Sequence, residues 1–202
     1  MLRNQLRPAI VMTLLLCVIT GFAYPGVVTA LSLAMFPRQA RGSLVTVNGQ
    51  VVGSELIGQT FTQPYYFHSR PSAAGAGYDA TASGGSNKGP TDRKLADSLI
   101  APRVAEVVAR DGAAKGHVPA DMVTASASGL DPHISPANAL LQVARVSGSR
   151  HADSVALREL VASHVERRQF GVLGEPRVNV LLLNIALDSL FPLPVPNALS
   201  AP

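Results

Sequence analysis

From Pro8 to Pro37 the chain carries no charged residue. At helical rise that stretch reaches about 45 Å, more than a hydrocarbon core of roughly 30 Å. It predicts a membrane anchor over residues 1–37, with the transmembrane helix at about 9–34. Pro25-Gly26 falls inside the run, so a kink or a frayed second half is expected where neighbouring helices or water satisfy the freed carbonyl. The competing reading is a cleaved signal peptide: Arg3 and Arg7 form a basic start, Pro8 to Thr20 an apolar stretch, and Gly21-Phe22-Ala23 small residues for cleavage. The apolar run continues to Phe36, which is long for such a peptide and favours a retained span.

Charge alone does not orient the span, because Arg3 and Arg7 on one side face Arg38 and Arg41 on the other. Large domains translocate largely regardless of charge, so an inside amino terminus with the rest outside is allowed. The single cysteine, Cys17, lies in the span, so the remainder forms no internal disulfide and its thiol content does not report a compartment. The chain has 17 Lys and Arg against 13 Asp and Glu. Without Arg3 and Arg7 the balance is 15 against 13, only +2 for everything after the span. With no tryptophan and no basic block interleaved with aromatics, no nucleic-acid partner is expected.

Residues 38–191 are long enough for one soluble α+β domain, and Pro192, Pro194, Pro196 and Pro202 mark 192–202 as a flexible proline-rich tail. Leu44 to Val47 and Gln50 to Val52 flank Asn48-Gly49, the pair a type I′ hairpin turn requires. Phe61 and Tyr65-Tyr66-Phe67, between Pro64 and Pro71, predict a further strand or a packed edge, read as core packing before any ligand platform. From Pro71 to Pro90 runs a long Gly, Ser and Ala loop. Thr91 is the expected cap of a helix through Leu95, Leu99 and Ile100 that continues past Pro102 with a kink. Ser135-Pro136 begins a helix to about Ser147, and Asp153 one to about Arg168 with Leu157, Leu160, Val161 and Val165 on one stripe. Val178 to Leu183, a nearly continuous apolar run, is expected as a strand buried on both faces.

Two polar loops are the candidate surfaces. Thr124 to Pro136 is rich in small and turn-forming residues: Gly129 frees the backbone, Asp131 suits an Asx turn before Pro132, and the run ends on the Ser135-Pro136 helix start. Ser83-Gly84-Gly85-Ser86-Asn87 offers amides and hydroxyls to an anion and resembles the signature loop that ABC-type ATPases place against a γ-phosphate. No lysine-bearing phosphate loop accompanies it, and Lys88 is followed by Gly89, without the hydroxyl that would hold magnesium. The residues alone favour a solvated loop there. Asp131 and His133 match no metal spacing, His68, His117, His151 and His164 occur singly, and no nucleophile elbow is present. Neither a metal site nor a Ser-His-Asp hydrolase is therefore expected, and Asp131 and His133 read as a turn residue and an exposed or interfacial side chain. Glu175-Pro176-Arg177-Val178-Asn179 leaves two readings open: a locally hydrogen-bonded loop, or a buried Arg177 pair fastening this turn to the Asp131 loop.

Several of these motifs stand in one order. The Gly53-Ser54 to Gln59 segment, Tyr66-Phe67 to Arg70-Pro71-Ser72, Ser83 to Asn87, Thr124 to Pro136 and Gly174 to Asp188, behind an N-terminal span, resemble the C subunits of the Kdp potassium-transporting ATPase over nearly the whole chain. The resemblance implies an accessory subunit of a high-affinity, ATP-driven potassium uptake pump, needed for assembly and stability. Its implied partners are the pore-forming subunit, the ATP-hydrolysing P-type subunit, a small membrane subunit and lipid. It implies a single-pass protein of the bacterial cytoplasmic membrane, amino terminus inside and soluble domain outside. The family is described as a catalytic chaperone that raises ATP affinity, with Ser83, Gly84, Gly85, Ser86 and Asn87 as the nucleotide contact. No tightly bound cofactor is implied: ATP enters only with the ATP-hydrolysing subunit, and potassium is cargo. The chain has no Asp-Lys-Thr-Gly phosphorylation motif, which fits a non-catalytic role. A domain outside the membrane does not meet cytoplasmic ATP, so the alternative is an extracytoplasmic cap that shapes potassium entry through Ser128, Gly129, Asp131, His133, Glu175, Arg177 and Asn179. A membrane-anchored hydrolase is the remote alternative.

Overall fold

The computed structural model describes residues 2–193. The chain divides into two compact units, one ending at Ser54 and the other beginning at Glu55.

In the first unit, the uncharged run forms one continuous helix. Among the described residues one helix, Asn4–Met35, is long and apolar enough to cross a membrane. It comprises α1 (Leu2–Val18), a π-helical turn Ile19–Ala23, and α2 (Tyr24–Met35). The turn answers the expected disturbance at Pro25. Proline has no N–H and crowds the carbonyl one turn back, and here the helix widens just before it, with the Tyr24 N–H reaching back to Ile19 O. Helix then continues to Met35 without fraying. A short α3 (Pro37–Ala40) leads to the hairpin β1 (Leu44–Val47) and β2 (Gln50–Ser54), paired antiparallel with Val47 opposite Gln50. Asn48 and Gly49 take φ of 51° and 79°, the signs a type I′ turn needs.

The second unit is a helix-rich α+β domain. Its elements are α4 (Ala101–Asp111), β3 (His133–Ile134), α5 (Pro136–Arg150), α6 (Ser154–Ser163), β4 (Val165–Glu166), β5 (Arg177–Asn179) and α7 (Val180–Leu190). The sheet is antiparallel in the order β3-β5-β4. Its core joins Phe67, Ile134, Val143, Val146, Leu157, Val161, Val178, Leu183 and Leu187, each large side chain contributing about 1.5–3 kcal/mol on burial. A smaller cluster of Val107, Ala113, Met122 and Val123 packs beneath α4.

Two expectations fail in instructive ways. Val178 to Leu183 is not a strand: β5 ends at Asn179, whose side chain accepts from the Leu182 N–H and starts α7. A short apolar run does not distinguish a buried strand from a buried helix, and the Asn cap decides it. The helix from Asp153 ends at Ser163, short of Arg168, because Val165 and Glu166 leave it to pair with Val178 and Arg177.

The aromatic segment is a packed edge and not a strand, because side chains satisfy its backbone. Asn184 exchanges two hydrogen bonds with Phe67, its Oδ1 accepting from the Phe67 N–H and its Nδ2 donating to the Phe67 carbonyl, both at 2.9 Å. Gln142 does the same for His68 at 2.7 and 3.1 Å. Arg145 donates to the carbonyls of Pro64 and Tyr66, and Arg150 to Tyr65 O at 2.7 Å. With four side chains in place of a neighbouring strand, buried polar groups keep their partners. Asp111, fully buried in its side chain, balances Arg145, and Asp188 balances Arg150.

Ahead of Pro102 lies a second π-helical stretch, Lys94–Ile100, the same accommodation as at Pro25. Asp92, not Thr91, caps it, accepting from the Lys94 N–H at 2.7 Å. α5 starts as expected, with Ser135 Oγ accepting from Asn138 N–H and Pro136 in the first turn, and runs three residues past Ser147 to Arg150. Of the proline-rich tail, residues 194–202 lie outside the described residues.

Candidate functional site

The two polar loops form one surface. Ser128 O accepts from the Gly84 N–H at 2.9 Å and from Ser83 Oγ at 3.0 Å. Ser72 Oγ donates to Gly129 O at 2.7 Å and accepts from the N–H groups of Ala74 and Tyr78. Gly129 is obligatory: φ is +68°, and a Cβ there would lie 2.7 Å from Ala74 N and 2.8 Å from Gly84 O. Ser86 and Asn87 stay exposed, and Lys88 pairs with Asp92 at 3.0 Å. An open hollow of about 390 Å³ lies between residues 85–89 and Ala125, Ser126 and Ala127.

Beside this surface runs a chain of charges. Asp131 Oδ1 accepts from the His133 N–H at 3.0 Å, the expected Asx turn, while Oδ2 accepts from Arg70 Nη1 at 2.9 Å. The His133 ring stands 3.4 Å from Asp131 and 3.7 Å from Glu166, and Glu166 accepts from Arg177 Nε at 2.9 Å. Burial acts to raise the Asp131 carboxyl, but the hydrogen bonds from His133 and the Arg70 charge outweigh it and hold it below its ordinary value. His133 also pairs with Asn179 across β3 and β5, and Asn179 Nδ2 donates to Glu55 O at 2.9 Å.

Arg177 does pair with a carboxylate, but with Glu166 in an exposed pair; Arg70 is what fastens the Asp131 loop. Glu175 stands apart, paired with Arg168 at 2.6 Å in the open. The sequence pattern named Ser83 and Gly84 on one loop and Ser128, Gly129, Asp131 and His133 on another; the structure joins the two loops and adds Arg70, Ser72 and Tyr78. The available signal was Arg70, the one charge between Glu55 and Asp79.

Arg70 also borders a cavity of about 350 Å³ lined by His68, Arg103, Glu106 and Arg110. There burial, then the charges of Arg145 and Arg110, hold the His68 imidazole below its ordinary pKa against a hydrogen bond to Gln63 O. Among the described residues no three His, Cys, Asp or Glu side chains gather as a metal site.

Comparison with known proteins finds relatives over nearly the whole chain. The family model for "K+-transporting ATPase, c chain" matches residues 6–189. A potassium-transporting ATPase KdpC subunit of Gemmatimonas aurantiaca is 63% identical over 188 residues, covering 93% of this chain and 94% of that protein. The subunits of the same name from Koribacter versatilis and Rhodospirillum rubrum are 50% and 53% identical, covering 96% of this chain and 100% and 99% of theirs.

Proposed function

The chain belongs to the KdpC family, the c chains of the K+-transporting ATPase, and is an accessory subunit of that potassium uptake pump; from that premise we propose that it acts without catalysis of its own, as a cap whose fused loop pair docks on the pore-forming subunit and shapes potassium entry. In this reading the helix Asn4–Met35 anchors it in the bacterial cytoplasmic membrane, amino terminus inside and the domain outside, beside the ATP-hydrolysing and small membrane subunits.

The observation that carries the reading is the use of the Ser83 to Asn87 loop. A phosphate cradle needs free amides and hydroxyls converging on one point. Here the Gly84 N–H and the Ser83 hydroxyl both go to Ser128 O, and Lys88 is held by Asp92. These three donors therefore build a surface. Loops of this kind position partners without reactive side chains.

Protease accessibility of the domain in intact cells with a permeabilised outer envelope tests the orientation. Digestion of the domain is expected, with the amino terminus protected; protection of the domain would end the cap reading. Purified chain is expected to show no magnesium-dependent ATP turnover. The nucleotide-chaperone role is the second reading, favoured by the hollow beside Asn87. It requires that Asn87→Ala with Lys88→Ala lower the pump's ATP affinity while assembly stays intact.

A further inference from the structure

After β4 the chain leaves the domain as an arm. Every residue from 166 to 175 is exposed, and the arm returns at β5. At its tip Phe170, Val172 and Leu173 are 93%, 73% and 57% exposed. Isolated exposed apolar residues are ordinary, but three together on a projection mark an interaction site.

The arm is held in one turn by its own hydrogen bonds. Gln169 and Leu173 exchange two backbone hydrogen bonds of 2.9 Å, Gly171 N–H donates to Arg168 O, and Val172 N–H to Gln169 O. Two ion pairs, Arg168 with Glu175 and Arg177 with Glu166, brace its two strands. Phe170 has φ of +52°, a region that bulky residues avoid. This turn presents a phenylalanine to water in a disfavoured backbone state. Such outliers cluster where a side chain has a function.

We propose that this arm is a docking finger whose Phe170, Val172 and Leu173 tip seats in an apolar socket of a partner subunit of the same pump. The inference rests on the reading that the chain works beside other subunits. Preorganisation lowers the ordering cost of association, and aromatic anchors dominate interfaces. Arg167, exposed next to the tip, has no carboxylate within ion-pair distance among the described residues, so the socket should carry an acidic side chain at its rim. Glu166, Arg167, Arg168, Glu175 and Arg177 sum to +1. Recognition of anionic lipid takes clusters of about four to eight basic residues, which this arm lacks, so a protein socket fits its charge better than an anionic bilayer.

The test places a photoreactive benzophenone amino acid at Val172 of the full-length chain, co-produced with the rest of the pump and irradiated in membranes. A covalent adduct with another pump subunit is expected. Phe170→Ser should lower its yield about tenfold, and Phe170→Leu should keep it within about twofold. Thermal unfolding of the purified chain should be the same for all three, since the tip lies outside the core. An adduct with lipid alone, with a second copy of this chain, or with nothing, in pumps whose subunits still co-purify, overturns the finger alone. Equal yield from Phe170→Ser, or a melting shift that accounts for its loss, overturns it too. If the unsubstituted chain fails to co-purify with any subunit, the assembly reading and the finger fail together.

Discussion

Arg70 and Asp131 meet at 2.9 Å across 61 positions of sequence, with side-chain exposures of 21% and 29%. That pair ties the segment after the aromatic edge to the loop carrying Gly129 and His133. The carboxylate also closes the Asx turn, so it has a structural task as well as a charge. Asp131→Asn is therefore expected to destabilise the chain by about 1.5–3 kcal/mol, the usual range for a hydrogen bond to a charged group. Denaturant unfolding of the purified chain measures this. If Asp131 also shapes ion entry, apparent potassium affinity of the pump should fall while ATP affinity holds. A fall in ATP affinity alone would favour the chaperone account.

The same pair sets an acid limb. The Asp131 pKa is lowered in the folded chain, so the unfolded state binds the proton more readily. Its contribution is present above the unfolded value of about 3.9 and disappears as pH falls through the lower folded value. Asp131→Asn should flatten the stability profile in that window and leave its shape above about pH 5 unchanged.

His68 acts at milder pH. Its folded pKa is depressed, first by burial and then by the charges of Arg145 and Arg110. Protonation therefore favours the unfolded chain as pH falls below about 6.5, until the folded value is passed. His68→Gln, which keeps a donor toward Gln63 O, should remove that slope between about pH 6.5 and 5. Melts across that range give the answer, and an unchanged slope would place the titration elsewhere.

Legibility in the sequence followed how local the determinants were. The apolar helix, the Asn48-Gly49 hairpin, the Ser135-Pro136 helix start and the Asp131 turn were all readable because each depends on residues a few positions apart. The aromatic segment was legible as a strand or a packed edge, but not which of the two, since the partners that decide it, Gln142, Arg145, Arg150 and Asn184, lie about 75 to 120 positions away. The apolar run at Val178 satisfied strand and helix patterns alike, and only the cap at Asn179 separated them. The loop pair was found as two polar loops, but their union at Ser128 O depends on backbone groups that carry no sequence signal.

Those distant clamps are testable. The Arg150 side chain is fully buried, donates to the carbonyls of Tyr65 and Phe191 and to Asp188, and lies 5.1 Å from the Tyr66 ring centre. Arg150→Met preserves the aliphatic volume and leaves the two carbonyls without a donor. A loss of about 2–4 kcal/mol is expected. Asp188→Asn should be milder, because Asp188 is half exposed and its partner keeps both carbonyls.

Gly129 offers the sharpest separation of docking from ion entry. Alanine there must adopt φ near +68° with its Cβ against the backbone of Ala74 and Gly84, so the two loops have to part. A destabilisation of about 2–4 kcal/mol is expected from strain and lost packing together. No charge changes, so any effect on the pump comes from shape alone. If the fused loops dock on the pore-forming subunit, Gly129→Ala should reduce the amount of this chain retained in the purified pump. Measuring retention at low temperature, where the variant chain remains folded, isolates that effect from unfolding. Full retention by folded Gly129→Ala chain, with potassium affinity unchanged, would take the docking role away from this face.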